Sequence, residues 1–195
     1  AHFFVYAGHG STRGLNGTSG GLCLASSSQD GTSNTIPAKT MLEELKLAPH
    51  AMVVFESVCR GAGSSAGDDG DIGIEEAEKR VTNYAIPFFK IGARCYYANN
   101  YGGGCLGFIK DFFKGQEVKD CFVQSVSSRN TIEVSKPFPK NETYDIGIAS
   151  SPAGGFCTRL TFTNGVRKDE RIPNDKGYEI ALVAKQGYSI ERMLR

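Results

Sequence analysis

Phe3-Phe4-Val5-Tyr6-Ala7-Gly8-His9-Gly10 and Met52-Val53-Val54-Phe55-Glu56-Ser57-Val58-Cys59-Arg60-Gly61 follow one plan, in which a short apolar run leads to a reactive residue with glycine just after it. Short apolar runs rich in β-formers and bounded by turn signals read as buried strands. Between the two, Met41, Leu42 and Leu45 recur at helical spacing from Pro37 to Leu47, with Thr35 as a candidate cap and Pro49 as a stop. Strand, amphipathic crossover helix and strand predict a parallel pair. His9 and Cys59 then fall just past the carboxyl ends of neighbouring strands.

Outward from this unit the alternation continues. Ser11–Gly21 reads as a polar, glycine-rich loop, Leu22–Ala25 as a short strand and Ser26–Thr35 as an exposed loop. Ile74, Ala77, Val81, Tyr84 and Phe88 keep the helical period on a second crossover, which Pro87 is expected to kink or end near Ile86. Ala93–Ala98 reads as a third strand. Cys105, Phe108, Ile109 and Phe112 mark a helix stopped at Gly115, and Val118, Cys121, Phe122 and Ser125 mark another. After about Ser127 the pattern changes to Pro137, Pro139, Pro152 and short β-like runs at Tyr144–Ala149, Thr158–Phe162 and Tyr178–Ala184. The expectation is an α/β fold in which residues 1–127 build a mostly parallel sheet flanked by helices. Residues 128–195 then form a small, β-hairpin-rich C-terminal extension of the same domain.

The bulk composition narrows the function classes. A chain of 195 residues fits one domain. Its 22 basic and 21 acidic residues are interspersed, which argues against nucleic acid as a partner. No stretch approaches a membrane span and no signal peptide opens the chain, so no membrane partner and a cytoplasmic location are expected. The first residue is Ala1 and a strand begins almost at once, which reads as a processed or truncated piece of a parent chain. Cys23, Cys59, Cys95, Cys105, Cys121 and Cys157 form no C-x-x-C pair and share no metal-ligand spacing with the three histidines, so neither metal nor cofactor is expected. Most of them sit in apolar patterns typical of buried reduced thiols.

Reactive groups in parallel sheets collect beyond the carboxyl ends of the strands. Neighbouring strands stand about 5 Å apart, so His9 and Cys59 are able to meet although distant in sequence. An imidazole beside a thiol takes its proton and leaves the nucleophilic thiolate. Gly8, Gly10, Gly61 and Gly63 let a substrate backbone approach, and Gly10 is the candidate backbone donor for an oxyanion. Alone, His9 reads as a loop histidine and Cys59 as a structural thiol; their pairing after two strands is what points to catalysis. Gly63-Ser64-Ser65-Ala66-Gly67 matches the G-x-S-x-G form, but that elbow must turn directly from strand to helix, and here a loop intervenes. Gly8-x-Gly10 has Arg13 where a dinucleotide fingerprint needs its third glycine.

Gly8-His9-Gly10 and Cys59-Arg60-Gly61, each after an apolar strand, resemble the paired motifs of caspase-like cysteine peptidases. Residues 36–59 and Tyr84–Gly115, the latter with Ala85-Ile86-Pro87-Phe88-Phe89-Lys90-Ile91-Gly92-Ala93-Arg94, are similar to the CHAT branch of that clan, kin of separase. The likeness covers roughly residues 3–127 and implies a caspase-like sheet, a Cys59–His9 dyad, a protein or peptide substrate, and strands before the histidine motif that this chain lacks. Ser57-Val58 replaces the family's usual pair before the nucleophile, and Asn99-Asn100 replaces its tryptophan after the third strand. Specificity is therefore expected to differ, with Asn99 a candidate substrate contact. Asp68, Asp69 and Asp71, shortly after Cys59, are candidates for pairing with an arginine or lysine of the substrate; the plainer reading is a solvated acidic turn or a weak calcium site. The resulting expectation is an endopeptidase, with an inactive caspase-like interaction module, bound to the parent chain or a regulatory partner, as the alternative.

Overall fold

The structure is a computed structural model that describes residues 1–11, 21–24, 34–36, 38–65, 68, 71–100, 104–126, 131–135, 144–150, 155–163, 166–174 and 177–195. The two apolar runs are neighbouring parallel strands, β1 (Phe3–Ala7) and β5 (Ala51–Glu56), in register from Phe3 opposite Met52 to Ala7 opposite Glu56. Between them lie β2 (His9–Ser11), β3 (Gly21–Leu24) and β4 (Asn34–Ile36), which form a small antiparallel sheet, and helix α1 (Ala38–Glu44). Helix α2 (Gly73–Lys90) crosses from β5 to β6 (Ala93–Asn99), again parallel.

Helices α3 (Gly104–Phe113) and α4 (Val118–Val126) lead to β7 (Thr131–Ser135) and β8 (Tyr144–Ser150). A hairpin of β9 (Gly155–Thr163) and β10 (Val166–Asn174) precedes β11 (Tyr178–Lys185) and the short α5 (Ile190–Met193). The main sheet has six strands in the order β1-β5-β6-β11-β8-β7. Its β1–β5 and β5–β6 pairings are parallel and those on to β11, β8 and β7 are antiparallel. The fold is therefore α/β on a mixed sheet.

That sheet divides two cores. Val53 and Phe55 face Met41 of α1 and Val81, Tyr84 and Phe88 of α2, whereas Met52 and Val54 face Phe108 and Phe112 of α3 and Phe122 of α4. Burial on both faces explains why β5 is a continuous apolar run instead of an alternating one. Phe55 lies edge-on to Phe4, Tyr6, Tyr84, Phe88 and Tyr96, with ring centroids 5.4–6.3 Å apart. Edge-to-face pairs add about 0.5–1.5 kcal/mol each beyond area burial, so Phe55 anchors the strand that leads to Cys59.

Several details depart from the sequence-based expectation. β1 is an edge strand, with Val5 54% exposed, so its apolar run marks a half-covered edge. Ser11, Gly21, Asn34 and Thr35 belong to strands where loops were expected, and α1 starts at Ala38, three residues beyond Thr35; the rest of those loops, 12–20 and 26–33, and Ala25 of the expected short strand lie outside the described residues. Pro87 neither ends α2 nor breaks it; the helix runs on to Lys90. Pro87 forfeits one hydrogen bond, and the burial of Phe88 against Phe4 and Phe55 offsets that loss. The C-terminal segment is more than an extension. β11 lies between β6 and β8, and β8 and β7 continue the sheet beyond it, while β9 and β10 form a separate hairpin. No helix among the described residues is long and apolar enough to cross a membrane.

Candidate active site

β1 and β5 deliver their loops side by side. Ala7 is opposite Glu56, the Gly8 N–H donates to the Glu56 carbonyl at 3.1 Å, and His9 and Cys59 follow within three residues of those strand ends. His9 is exposed and opens β2, held by the Tyr6 hydroxyl, which donates to the His9 carbonyl at 3.1 Å.

The Cys59 loop is tightly folded. Ser57 and Arg60 adopt φ of +60° and +66°, the left-handed region that non-glycine residues seldom occupy. Such strain persists only where surrounding contacts enforce it, and here they are numerous. The Gly61 N–H donates to Val58 O at 2.9 Å and the Arg60 N–H to Ser64 O at 2.9 Å. The buried Tyr96 hydroxyl donates to Gly61 O at 2.8 Å, and that of Tyr84 to Cys59 O at 3.4 Å. Ser64 is locked to β11: its N–H donates to Tyr178 O, its hydroxyl oxygen accepts from the Tyr178 N–H at 2.7 Å, and Asn100 Nδ2 bonds both carbonyls. These bonds give Ser64 a structural task, and α2 starts only at Gly73, so the strand-to-helix elbow of a serine hydrolase is missing.

Gly10 joins the two motifs. A Cβ built on it would overlap the Cys59 carbonyl oxygen and approach Tyr84 Oη to 2.6 Å and Val58 Cγ1 to 2.9 Å. The backbone after His9 therefore rests directly on the Cys59 turn, and only glycine permits that approach. Gly10→Ala is expected to push the two loops apart, with a stability loss of about 1–3 kcal/mol typical of overpacking. Denaturant unfolding checks this, and an unchanged midpoint counts against the contact. Among the described residues neither the His9 ring nor the Cys59 thiol makes a hydrogen bond, so what adjoins is the backbone of the two loops, at Gly10 and Cys59.

The acidic residues after Cys59 have separate fates. Asp68 is buried: its carboxylate takes Arg80 Nη1 at 2.8 and 2.9 Å and the Ser65 N–H at 2.6 Å. Arg80 also donates to Gly63 O at 3.1 Å and, through Nε, to Glu76 at 2.9 Å. Burial pulls the Arg80 pKa down, but the bonds to Asp68 and Glu76 outweigh it and leave it raised. Asp68 thus fastens the loop instead of facing it outward with a free charge. Asp71 accepts the Gly73 N–H at 2.8 Å on the exposed start of α2, and Asp69 lies outside the described residues. Asn99, at 1% exposure, accepts the Ser57 N–H at 3.4 Å and supports the turn from within.

Among the described residues Cys95, Cys105 and Cys121 are buried thiols outside any disulfide, whereas Cys59 is half-buried. The Cys105 thiol donates to Glu56 Oε2 at 2.7 Å, and burial, reinforced by that carboxylate, pushes its pKa up to about 11. Burial likewise raises Cys121 to about 11 and Cys95 well above its ordinary value. Among the described residues no three histidine, cysteine or acidic side chains are grouped to hold a metal ion. Sequence reasoning missed Arg80, Tyr84, Tyr96 and Asn100 as supports of the loop. Arg80 alone carried a local signal, its i,i+4 spacing from Glu76. Compared with known proteins, the chain matches no family model, no curated protein and no solved structure.

Proposed function

We propose that the chain is a cysteine endopeptidase in which Cys59 is the nucleophile and His9 the general base. The observation that carries this reading is the seating of Gly10 on the Cys59 turn, which puts a histidine and a half-buried thiol on adjoining strand tips. The likeness of both motifs to those of caspase-like peptidases supports it. In the proposed reaction His9 takes the thiol proton and Sγ attacks the peptide carbonyl carbon. The tetrahedral intermediate then collapses, expelling the amine with the proton from His9 and leaving a thioester. Water, deprotonated by His9, hydrolyses the thioester, releases the acid and returns the proton to the thiol. Backbone N–H groups of the two glycine-flanked loops, including Gly10, are the candidates for holding the oxyanion.

Cleavage after arginine or lysine rests on weaker support. The charge of Asp68 is taken by Arg80, and an exposed Asp71 contributes little discrimination. A second reading, an inactive module that keeps the fold for interaction, is favoured by the missing His9–Cys59 hydrogen bond. A library of peptidyl acyloxymethyl ketones separates the two. The peptidase reading expects time-dependent labelling that mass spectrometry assigns to Cys59 and that His9→Ala slows. At pH 8 the Cys105 and Cys121 thiols, with pKa values near 11, are thiolate in only about one part in a thousand, which keeps them silent. Labelling that ignores His9, or none at all, favours the inactive module.

A further inference from the structure

At the end of the sheet opposite Cys59, where β5 begins and β11 ends, a pocket of about 230 Å³ is lined by His50, Lys185, Gln186, Tyr188, Arg192 and Arg195. Three of the six are lysine or arginine, a fourth is histidine and none is Asp or Glu, in a chain whose 22 lysines and arginines and 21 acidic residues otherwise nearly balance. A concave surface lined by basic groups and no Asp or Glu favours an anionic ligand.

The walls are fixed in advance. Arg192 Nη1 donates to Gln186 O at 2.7 Å, and its guanidinium lies over Gly187, where a Cβ would come within 2.9 Å of Nη1. Gly187, at φ +66°, thus serves both the turn and the close approach. His50 is also left-handed, at φ +61°, and its carbonyl accepts the hydroxyl of the buried Tyr188 at 2.5 Å. A strained non-glycine residue held in place at the pocket wall is the kind of outlier that accompanies ligand sites. The volume equals roughly eight water molecules at about 30 Å³ each, enough for a diphosphate-sized group.

We propose that this pocket binds a phosphate-bearing anion, with Arg192 presenting a planar fork to its oxygens and Lys185 adding charge. The site is separate from Cys59 and does not depend on the peptidase reading. The test is calorimetric titration of the whole chain with inorganic pyrophosphate, alongside co-sedimentation with phosphatidylcholine vesicles with and without phosphatidic acid. One-to-one pyrophosphate binding is expected, weakening as salt rises. Lys185→Gln with Arg192→Gln should lower the affinity about ten-fold or more, Arg192→Lys should lower it less, and Cys59→Ala should leave it unchanged. Vesicle binding that requires phosphatidic acid and is lost in the double variant assigns the same site to a lipid headgroup. Both variant positions are incompletely buried, so circular dichroism should give native spectra. Failure to bind either probe, or binding that the double variant leaves intact, overturns the proposal.

Discussion

Replacing Cys59 by alanine is expected to lower peptide cleavage on the order of ten-thousand-fold or more, while stability stays within about 1 kcal/mol. The thiol is half-buried and unbonded on a turn whose shape is set by Tyr84, Tyr96, Asn99 and Arg80, so its removal deletes the nucleophile and little packing. His9→Ala should cost about a hundred- to ten-thousand-fold, the range of a general base. The double variant should be no slower than Cys59→Ala alone, because groups acting on one proton transfer are not additive. Steady-state cleavage of the best peptide from the labelling experiment measures all three. Cleavage retained in Cys59→Ala moves the nucleophile elsewhere, with Ser65 the first residue to examine.

The part of the fold legible in the sequence is the part governed by local periodicity. β5, α2 and β6 were readable because burial on both sheet faces writes an unbroken apolar run and a one-sided helix writes a 3.6-residue stripe. Strand order leaves no such trace. Ile180 to Ala184 is as apolar as β5, yet nothing local says that it pairs with Cys95 to Asn99 of β6. The C-terminal strands therefore read as an add-on when they continue the sheet. β1 failed in the opposite direction: its apolar residues promised burial on both sides, and Val5 is instead left on an open edge.

The candidate site divides along the same line. The turns that carry His9 and Cys59 were legible as strand-end turns because an apolar strand precedes each and glycine lies within two residues of both. Asp68 misled, because a carboxylate near a nucleophile looks like a specificity determinant until its partner is known, and that partner comes from α2, twelve residues on. Side chains that hold a loop from below have no motif; Tyr84 and Tyr96 look like ordinary core aromatics in the sequence, and only their hydroxyls reach the Cys59 turn.

The Arg80–Asp68 pair gives the second large effect. Its side chains are 13% and 4% exposed, and removing one partner of such a pair strands the other charge, at a cost of about 3–5 kcal/mol. Arg80→Met should therefore lower Tm by roughly 6–20 °C for a chain of this size. It also removes the donor to Gly63 O, so the Cys59 loop should loosen and cleavage should fall with it. Asp68→Asn keeps an acceptor for the Ser65 N–H and should cost less. Because Arg80 already neutralises the Asp68 charge, that variant should leave the ratio of arginine to leucine substrate turnover unchanged; a changed ratio restores Asp68 to the substrate pocket. Glu76 allows a further check by acid. Its hydrogen bond from Arg80 holds its pKa below the ordinary value, so its stabilising contribution is present above the unfolded-state pKa and fades as pH falls through the folded one. In Arg80→Met that increment is absent, and the difference in Tm between wild type and variant should narrow as pH falls below the ordinary glutamate value of 4.5. Equal Tm values at neutral pH would mean that the loop is held by its tyrosines and by Ser64, with the ion pair a bystander.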